Sequence, residues 1–216
     1  LNIKKKEGSD GKTSYFDDLR ILFKNPIFIS GFISRTILFG LNGGLHFWFS
    51  DYMRTVLHVD KNSLITLTYS IICITGPAGG VIGNNLFKPL IGSYESRKAS
   101  WSVVIVHLFA TTFGIGIGLM PTPWTLTISA VLYFIFNSIA LPVLQGMIIT
   151  SVDKELAATG YSIVNLMTQL VVAGNAPVFY GYINDNYKNK YPHLAMLSLM
   201  SIHILGIPSL CFMAYK

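Results

Sequence analysis

Guanidinium, amide and imidazole side chains set inside long apolar runs are the chemistry-bearing residues of this sequence. Arg35, Asn42 and His46 share one such run, Asn137 and Gln145 a second, Asn165 and Gln169 a third. Amides and imidazoles bind by donating and accepting hydrogen bonds, and Arg35 alone among these residues carries a fixed charge able to meet an anion. Each has a plainer use too. An amide between two membrane helices stabilises their contact by ~0.6 to 2 kcal/mol. Arg35, about two turns into its run, is placed to snorkel to the headgroups. His46 fits a titrating group in a cavity or a hydrogen-bonded interfacial side chain. If these residues line a pathway, Asn42, Asn165 and Gln169 are expected to share one solvent-reachable cavity, with Arg35 in reach of it.

Nothing in the sequence points to catalysis, a cofactor or a metal. The five histidines, His46, His58, His107, His193 and His203, show no ligand spacing. His107 and His203 sit in apolar runs, and Cys73 and Cys211 read as inert packing residues. No glycine-rich phosphate loop follows a strand, and there is no nucleophile elbow.

Composition sets the class. The chain has 216 residues, of which 51% are hydrophobic and 12% charged, with a mean hydropathy of +0.52. Soluble domains carry about 25% charged residues. An all-α integral membrane protein follows, with lipid as its first partner. The net charge of +6 does not signal nucleic acid, because the basic residues flank apolar runs and form no groove-sized cluster. LNIKKKEGSDGKTS, beginning at Leu1, is no signal peptide and reads as the start of a processed product or of a piece of something longer.

Residues 1–26 read as a basic tail or linker leading into a short amphipathic helix at the membrane surface, with Phe16, Leu19, Leu22 and Phe23 on its apolar side and a stop near Pro26. Residues 27–216 read as a six-helix transmembrane domain. Its spans are expected at about 27–50, 62–83, 101–120, 124–150, 151–185 and 192–215, with a basic loop from Asn84 to Ser100. Gly43 and Gly44 are expected at close helix contacts, and Pro77, Pro142 and the Gly174–Pro177 stretch at helix breaks, with Gly181 packing beyond the last. The fifth span organises the rest. It has no formal charge between Glu155 and Asp185, yet it holds two amides and a Gly-x-x-Pro break, which suits one wall of a protein-lined cavity. Six spans put both termini on one side. Eleven of the 16 Lys and Arg then fall on the N-terminal side and four on the other, with Arg35 inside a span, which favours cytoplasmic termini.

These segments resemble spinster-like transporters of the major facilitator superfamily. YFDDLRILFKNPIFISG is similar to that family's central cytoplasmic loop and the start of its seventh helix, and LNGGLHFWFSDYM to the Gly-x-x-x-x-Trp end of the same helix. Ala157-Ala158, Pro177, Gly181 and Asp185 match the eleventh helix, and the Asn84–Lys98 loop takes the place of the one between helices eight and nine. The resemblance implies the C-terminal six-helix half of a twelve-helix carrier, moving an amphiphilic or organic-anion substrate such as a lysophospholipid or a sphingoid phosphate. One departure counts against it. Ala173 stands where the family has a membrane-embedded acid and Val172 where it has a glycine, and no acid lies within the interior of any expected span. Six helices cannot enclose an alternating-access pathway alone. The implied partner is an N-terminal six-helix half, a second copy, or unrelated membrane subunits. The last option defines the rival reading, a transport-inactive half-transporter serving as a structural accessory subunit of a large complex.

Overall fold

Two prolines and two side-chain caps start the first and fourth spans in the same way. In the computed structural model, which describes residues 15–215, Asn25 Oδ1 accepts from the backbone N–H groups of Ile27 and Phe28 at 3.0 and 3.2 Å, with Pro26 at the first helical position. Thr122 forms a capping box with Thr125, again with proline, Pro123, next. Proline lacks the N–H that a first turn could not use, so it costs nothing there and fixes the entry angle. The basic run Lys4-Lys5-Lys6, the linker expected over residues 1–14, and Lys216 lie outside the described residues.

Six helical spans follow the surface helix α1 (Tyr15–Leu22): α2 (Pro26–Thr55); α3 (Asn62–Ile82), continued by a π-helical turn and α4 (Lys88–Ile91); α5 (Arg97–Leu119); α6 (Pro123–Thr150); α7 (Lys154–Met167) and α8 (Ala176–Tyr187), joined by a second π-helical segment; and α9 (Leu194–Ser201) with α10 (Gly206–Tyr215). The shortest span, 22 residues, rises about 33 Å and so crosses a hydrocarbon core. Among the described residues there is no β-strand.

The first span packs on the fourth, fifth and sixth, and the fourth on the first, second and third. Exchanging the first three spans for the last three turns one set of contacts into the other, the mark of an internal repeat. Two backbone approaches hold this frame. A Cβ at Gly40 would collide with Val172 of the fifth span, and one at Gly79 would come within 2.9 Å of the Ile135 carbonyl oxygen of the fourth. Gly43 faces the Ala173 backbone, Gly44 packs on Ala176 and Leu199, and Gly181 packs on the Trp48 ring. Gly174 meets only its own helix.

Several boundaries differ from the sequence expectation. Lys88 and Arg97 remain helical, so the basic loop shrinks to residues 92–96. Long cations at helix ends reach the headgroups without ending the helix. The chain turns instead at Gly92, whose φ of 72° suits glycine alone, and Ser96 caps the next helix. Pro77 and Pro142 lie inside continuous helices and break neither. Each removes one backbone bond, whereas opening a helix in hydrocarbon would strand many. The irregular turns fall elsewhere, at Gly83–Phe87 and Thr168–Ala173. In the fifth span the break thus begins before Gly174. Gly174 N–H reaches back to the Gln169 carbonyl at 2.9 Å. Asn175 Nδ2 donates to the carbonyls of Leu170 and Val171 at 3.2 and 2.8 Å, where the ladder changes register.

The buried apolar residues form two clusters stacked along the length of the bundle. One runs from Leu22 and Phe28 through Val103, Leu144 and Val164 to Met213; the other from Leu41 and Phe49 through Ile117, Tyr133 and Ala176 to Leu199. Between them, at mid-height, lie His107, Asn137, Thr168 and His203, one from each of the last four spans and all buried.

One end of the bundle gathers α1, the 92–96 turn, the start of α7 and the end of α10. Asn25 Nδ2 donates to the Ser151 carbonyl, Tyr94 covers Gly146, and Trp101 meets Tyr215 edge-on at 5.5 Å. In a background with Cys73 and Cys211 replaced by Ser, a membrane-impermeant thiol reagent should label Ser93→Cys and Lys154→Cys from one face and Asp60→Cys and Asn186→Cys from the other. Labelling of Lys154→Cys and Asn186→Cys from the same face would refute this arrangement.

Candidate functional site

Along the first span, Arg35, Asn42 and His46 repeat at intervals of seven and four residues, which keeps them on one stripe of the helix. That stripe has three levels, the first facing the fifth span and the other two the fourth, and the sequence candidates divide among them.

At the level nearest α1, Arg35 is the charge set deepest in any span: nine residues, or about 14 Å, from Pro26. It is 7% exposed. Its Nη2 donates to Asn165 Oδ1 at 2.5 Å, and the guanidinium lies 5.0 Å from the centre of the Tyr161 ring. Tyr161 in turn lies beside the side chains of Asn165, Arg35 and Gln145. Three spans therefore converge here. What Arg35 lacks is an anion. No carboxylate pairs with it among the described residues, and its Nε and Nη1 are buried without any hydrogen-bond partner. A buried charge in that condition costs several kcal/mol by general estimates. Beside this cluster an open cleft of about 310 Å³ is lined by Gln145, Gly146, Pro142 and Tyr94.

The middle level is the polar layer between the two apolar clusters. Asn137 Nδ2 donates to the Leu38 carbonyl and to Asn42 Oδ1, both at 3.2 Å. Tyr133 donates to Asn42 Oδ1 at 2.5 Å and contacts His203 Nε2 at 2.8 Å. His107 Nε2 lies 3.0 Å from the His203 carbonyl oxygen. At the third level His46 makes ring contacts only, with Phe134 at 5.0 Å and Tyr69 at 5.8 Å. It is an aromatic packing residue there, half-buried.

The single cavity expected for Asn42, Asn165 and Gln169 does not form. Asn165 belongs with Arg35 and Asn42 with Tyr133, two turns of the first span apart, while Gln169 sits on the second π-helical segment and is exposed. Sequence reasoning passed over Tyr133, Tyr161, His107 and His203. The signal for the tyrosines was present. Tyr133 with Asn137, and Tyr161 with Asn165, are i, i+4 pairs that put a hydroxyl and an amide on one helix face. Among the described residues, no three His, Cys, Asp or Glu side chains converge as metal ligands.

The geometry describes a membrane bundle with an anion-ready arginine on its central seam, and comparison with known proteins supplies the family. The sequence model of the Major Facilitator Superfamily matches residues 2–177. The chain belongs to that superfamily. Its fold, six long apolar helices in an all-α bundle, is that of the superfamily's secondary transporters and carries no catalytic constellation among the described residues. No curated protein matches the chain.

The middle level should be structural as well as polar. Tyr133→Phe removes the donor to Asn42 and the acceptor for His203 and should destabilise the bundle by about 1–3 kcal/mol. Denaturant unfolding in mixed micelles reads this. His46→Phe, which changes ring contacts alone, should shift stability far less.

Proposed function

We propose that this chain is one half, corresponding to the C-terminal six helices, of a spinster-like carrier that moves an amphiphilic or organic anion by alternating access. The observation that carries the reading is Arg35, a guanidinium held at depth by Asn165 and Tyr161 with two donor nitrogens and no counter-ion. An anionic headgroup supplies what the site lacks, a charge to neutralise and acceptors to fill, while an alkyl tail suits the apolar faces beside it. The second and fifth spans support a partner half. Only 28% and 22% of their apolar windows are buried, against 56% in the first and fourth, so they offer the faces on which an N-terminal half, or a second copy, could pack. The excess of basic residues at the α1 end favours placing that end in the cytoplasm.

A second reading, a structural accessory subunit that transports nothing, has one observation on its side. Arg35 is closed in by its own chain, so an anion reaches it only if the side chains around it move. Carrier and scaffold therefore differ in whether Arg35 meets ligand.

The test is binding by the purified full chain. Single-chain phosphate amphiphiles should raise its thermal stability, and a neutral monoacylglycerol should not. Arg35→Gln should weaken phosphate-amphiphile binding about 10- to 100-fold, the range expected from losing a charge-assisted hydrogen bond, while leaving the folded yield nearly unchanged. Equal responses to the charged and neutral amphiphiles, or an Arg35→Gln variant that binds normally and only loses partners, would replace the carrier reading with the scaffold one.

A further inference from the structure

At the end of the bundle opposite α1, the first and fifth spans leave a cleft between them. On α8, Val178, Gly181, Tyr182 and Asp185 follow at i, i+3, i+4 and i+7, which puts them on one face. With Phe47 and Trp48 of α2 they line an open space of about 550 Å³. Trp48 is pinned from three directions. Its Nε1 donates to the Pro177 carbonyl at 2.8 Å, its ring stacks on Tyr180 with centroids 4.9 Å apart, and it passes so close to Gly181 that a Cβ there would lie 3.2 Å away. Phe47 crosses it edge-on at 5.2 Å. Phe47 and Tyr182 are 67% and 68% exposed, so the chain itself leaves these rings uncovered.

The walls are rings, alkyl groups and one carboxylate. The only N–H of the Trp48 ring is committed to Pro177, which leaves the Tyr182 hydroxyl and Asp185 for polar contact. Asp185 meets Lys188 at 3.9 Å, with the two side chains 77% and 52% exposed, a pairing of little energetic consequence. A second acid, Asp51, stands one turn beyond Phe47 on α2 and lies beside Tyr180. Arg54, at the same helix end, donates to Asn62 at 2.8 Å. Ring faces with negative charge beside them select a cation.

They also select among cations. A primary ammonium carries three N–H donors and a guanidinium five, more than one hydroxyl and one carboxylate can take up among these rings. A trimethylammonium group has no N–H to satisfy, and its methyl groups bring the positive charge onto the ring faces. An anion would face Asp185. Placement points to the source. Trp48 and Tyr182 stand near the ends of their spans, at headgroup height. From there toward the middle the fifth span stays apolar and exposed at Val171 and Leu170, a surface for an acyl chain.

We propose that this cleft binds the quaternary-ammonium headgroup of a membrane lipid, with Phe47, Trp48 and Tyr182 supplying the ring faces and Asp185 the counter-charge. The site lies 13 residues, or about 20 Å, along the first span from Arg35. It stands whether or not Arg35 meets a ligand.

The test uses the full chain in nanodiscs of phosphatidylcholine, phosphatidylethanolamine and phosphatidylglycerol in equal parts with matched acyl chains. Native mass spectrometry counts the lipids that the folded chain keeps. At least one phosphatidylcholine per chain should be retained, enriched about 10-fold over phosphatidylethanolamine, which has hydrogens in place of the three methyl groups. Asp185→Asn and Phe47→Leu, both at exposed positions that folding tolerates, should each reduce that enrichment about threefold or more, the scale of one cation–π or ion contact. Tyr191→Leu, which removes an exposed ring outside the cleft, should leave it as it is. Equal retention of phosphatidylcholine and phosphatidylethanolamine would make the cleft a general cation surface, and preference for phosphatidylglycerol would make it an anion site; either overturns the proposal. A chain that keeps no lipid overturns it too, and one that does so as a stable dimer has this face covered by a second copy. Release of the retained lipid by equimolar tetramethylammonium would show that the acyl chain adds nothing, and the lipid assignment would fall.

Discussion

A polar layer sealed between two apolar clusters is the constraint on which the rest of this bundle depends. Polar groups in that layer are paired chiefly with one another, because lipid can supply no partner at mid-membrane. Meeting that requirement ties four spans together at one height: Leu38 and Asn42 of the first, His107 of the third, Tyr133 and Asn137 of the fourth, and His203 of the sixth. Apolar side chains can slide past one another at little cost. A hydrogen-bonded layer cannot, and it fixes the vertical register of the spans that share it.

The first span works as the axis of the structure because it combines two opposite properties. One stripe carries Arg35, Asn42 and His46 and meets the fourth and fifth spans through side chains. Another is stripped to glycine at Gly40, Gly43 and Gly44, so that the fifth and sixth spans approach its backbone. A helix that was glycine-rich all round would pack tightly and bind nothing. One that was polar all round would not sit in the membrane.

How much of this was legible in the sequence follows from which forces are local. Six spans and a surface helix could be read directly, since apolar length and charge placement are one-dimensional properties. Span ends were misjudged wherever charge was taken as a stop, as at Lys88 and Arg97, because whether a lysine ends a helix depends on how far its stem reaches. Proline misled in the same manner. Pro77 and Pro142 looked like breaks, yet the surrounding helix absorbs one missing bond. Pro208, which drew no attention, follows a tight 3-10 turn over Ile202–Leu205 in the sixth span. Arg35 and Asn165 were both chosen as candidates, but that they meet each other and Asn42 meets Tyr133 is set by crossing angles and by a π turn that no residue pattern announces. The two histidines were discounted for lack of ligand spacing, a criterion that looks along one chain segment and cannot see a pair assembled from the third and sixth spans.

These contacts differ in what they allow to move. Where Gly79 faces the Ile135 carbonyl, and where Gly40 faces Val172, backbone lies against side chain or backbone with no space between. Sliding those pairs would create a clash within a fraction of an ångström, so each behaves as a rigid unit. The seam between the first and fourth spans is built differently, from Asn42, Asn137 and Tyr133, whose hydrogen bonds can exchange partners without a steric barrier. A rearrangement of the bundle that keeps its close-packed pairs intact must therefore be taken up along that seam. The same seam continues from Asn42 through Tyr133 to His203 of the sixth span.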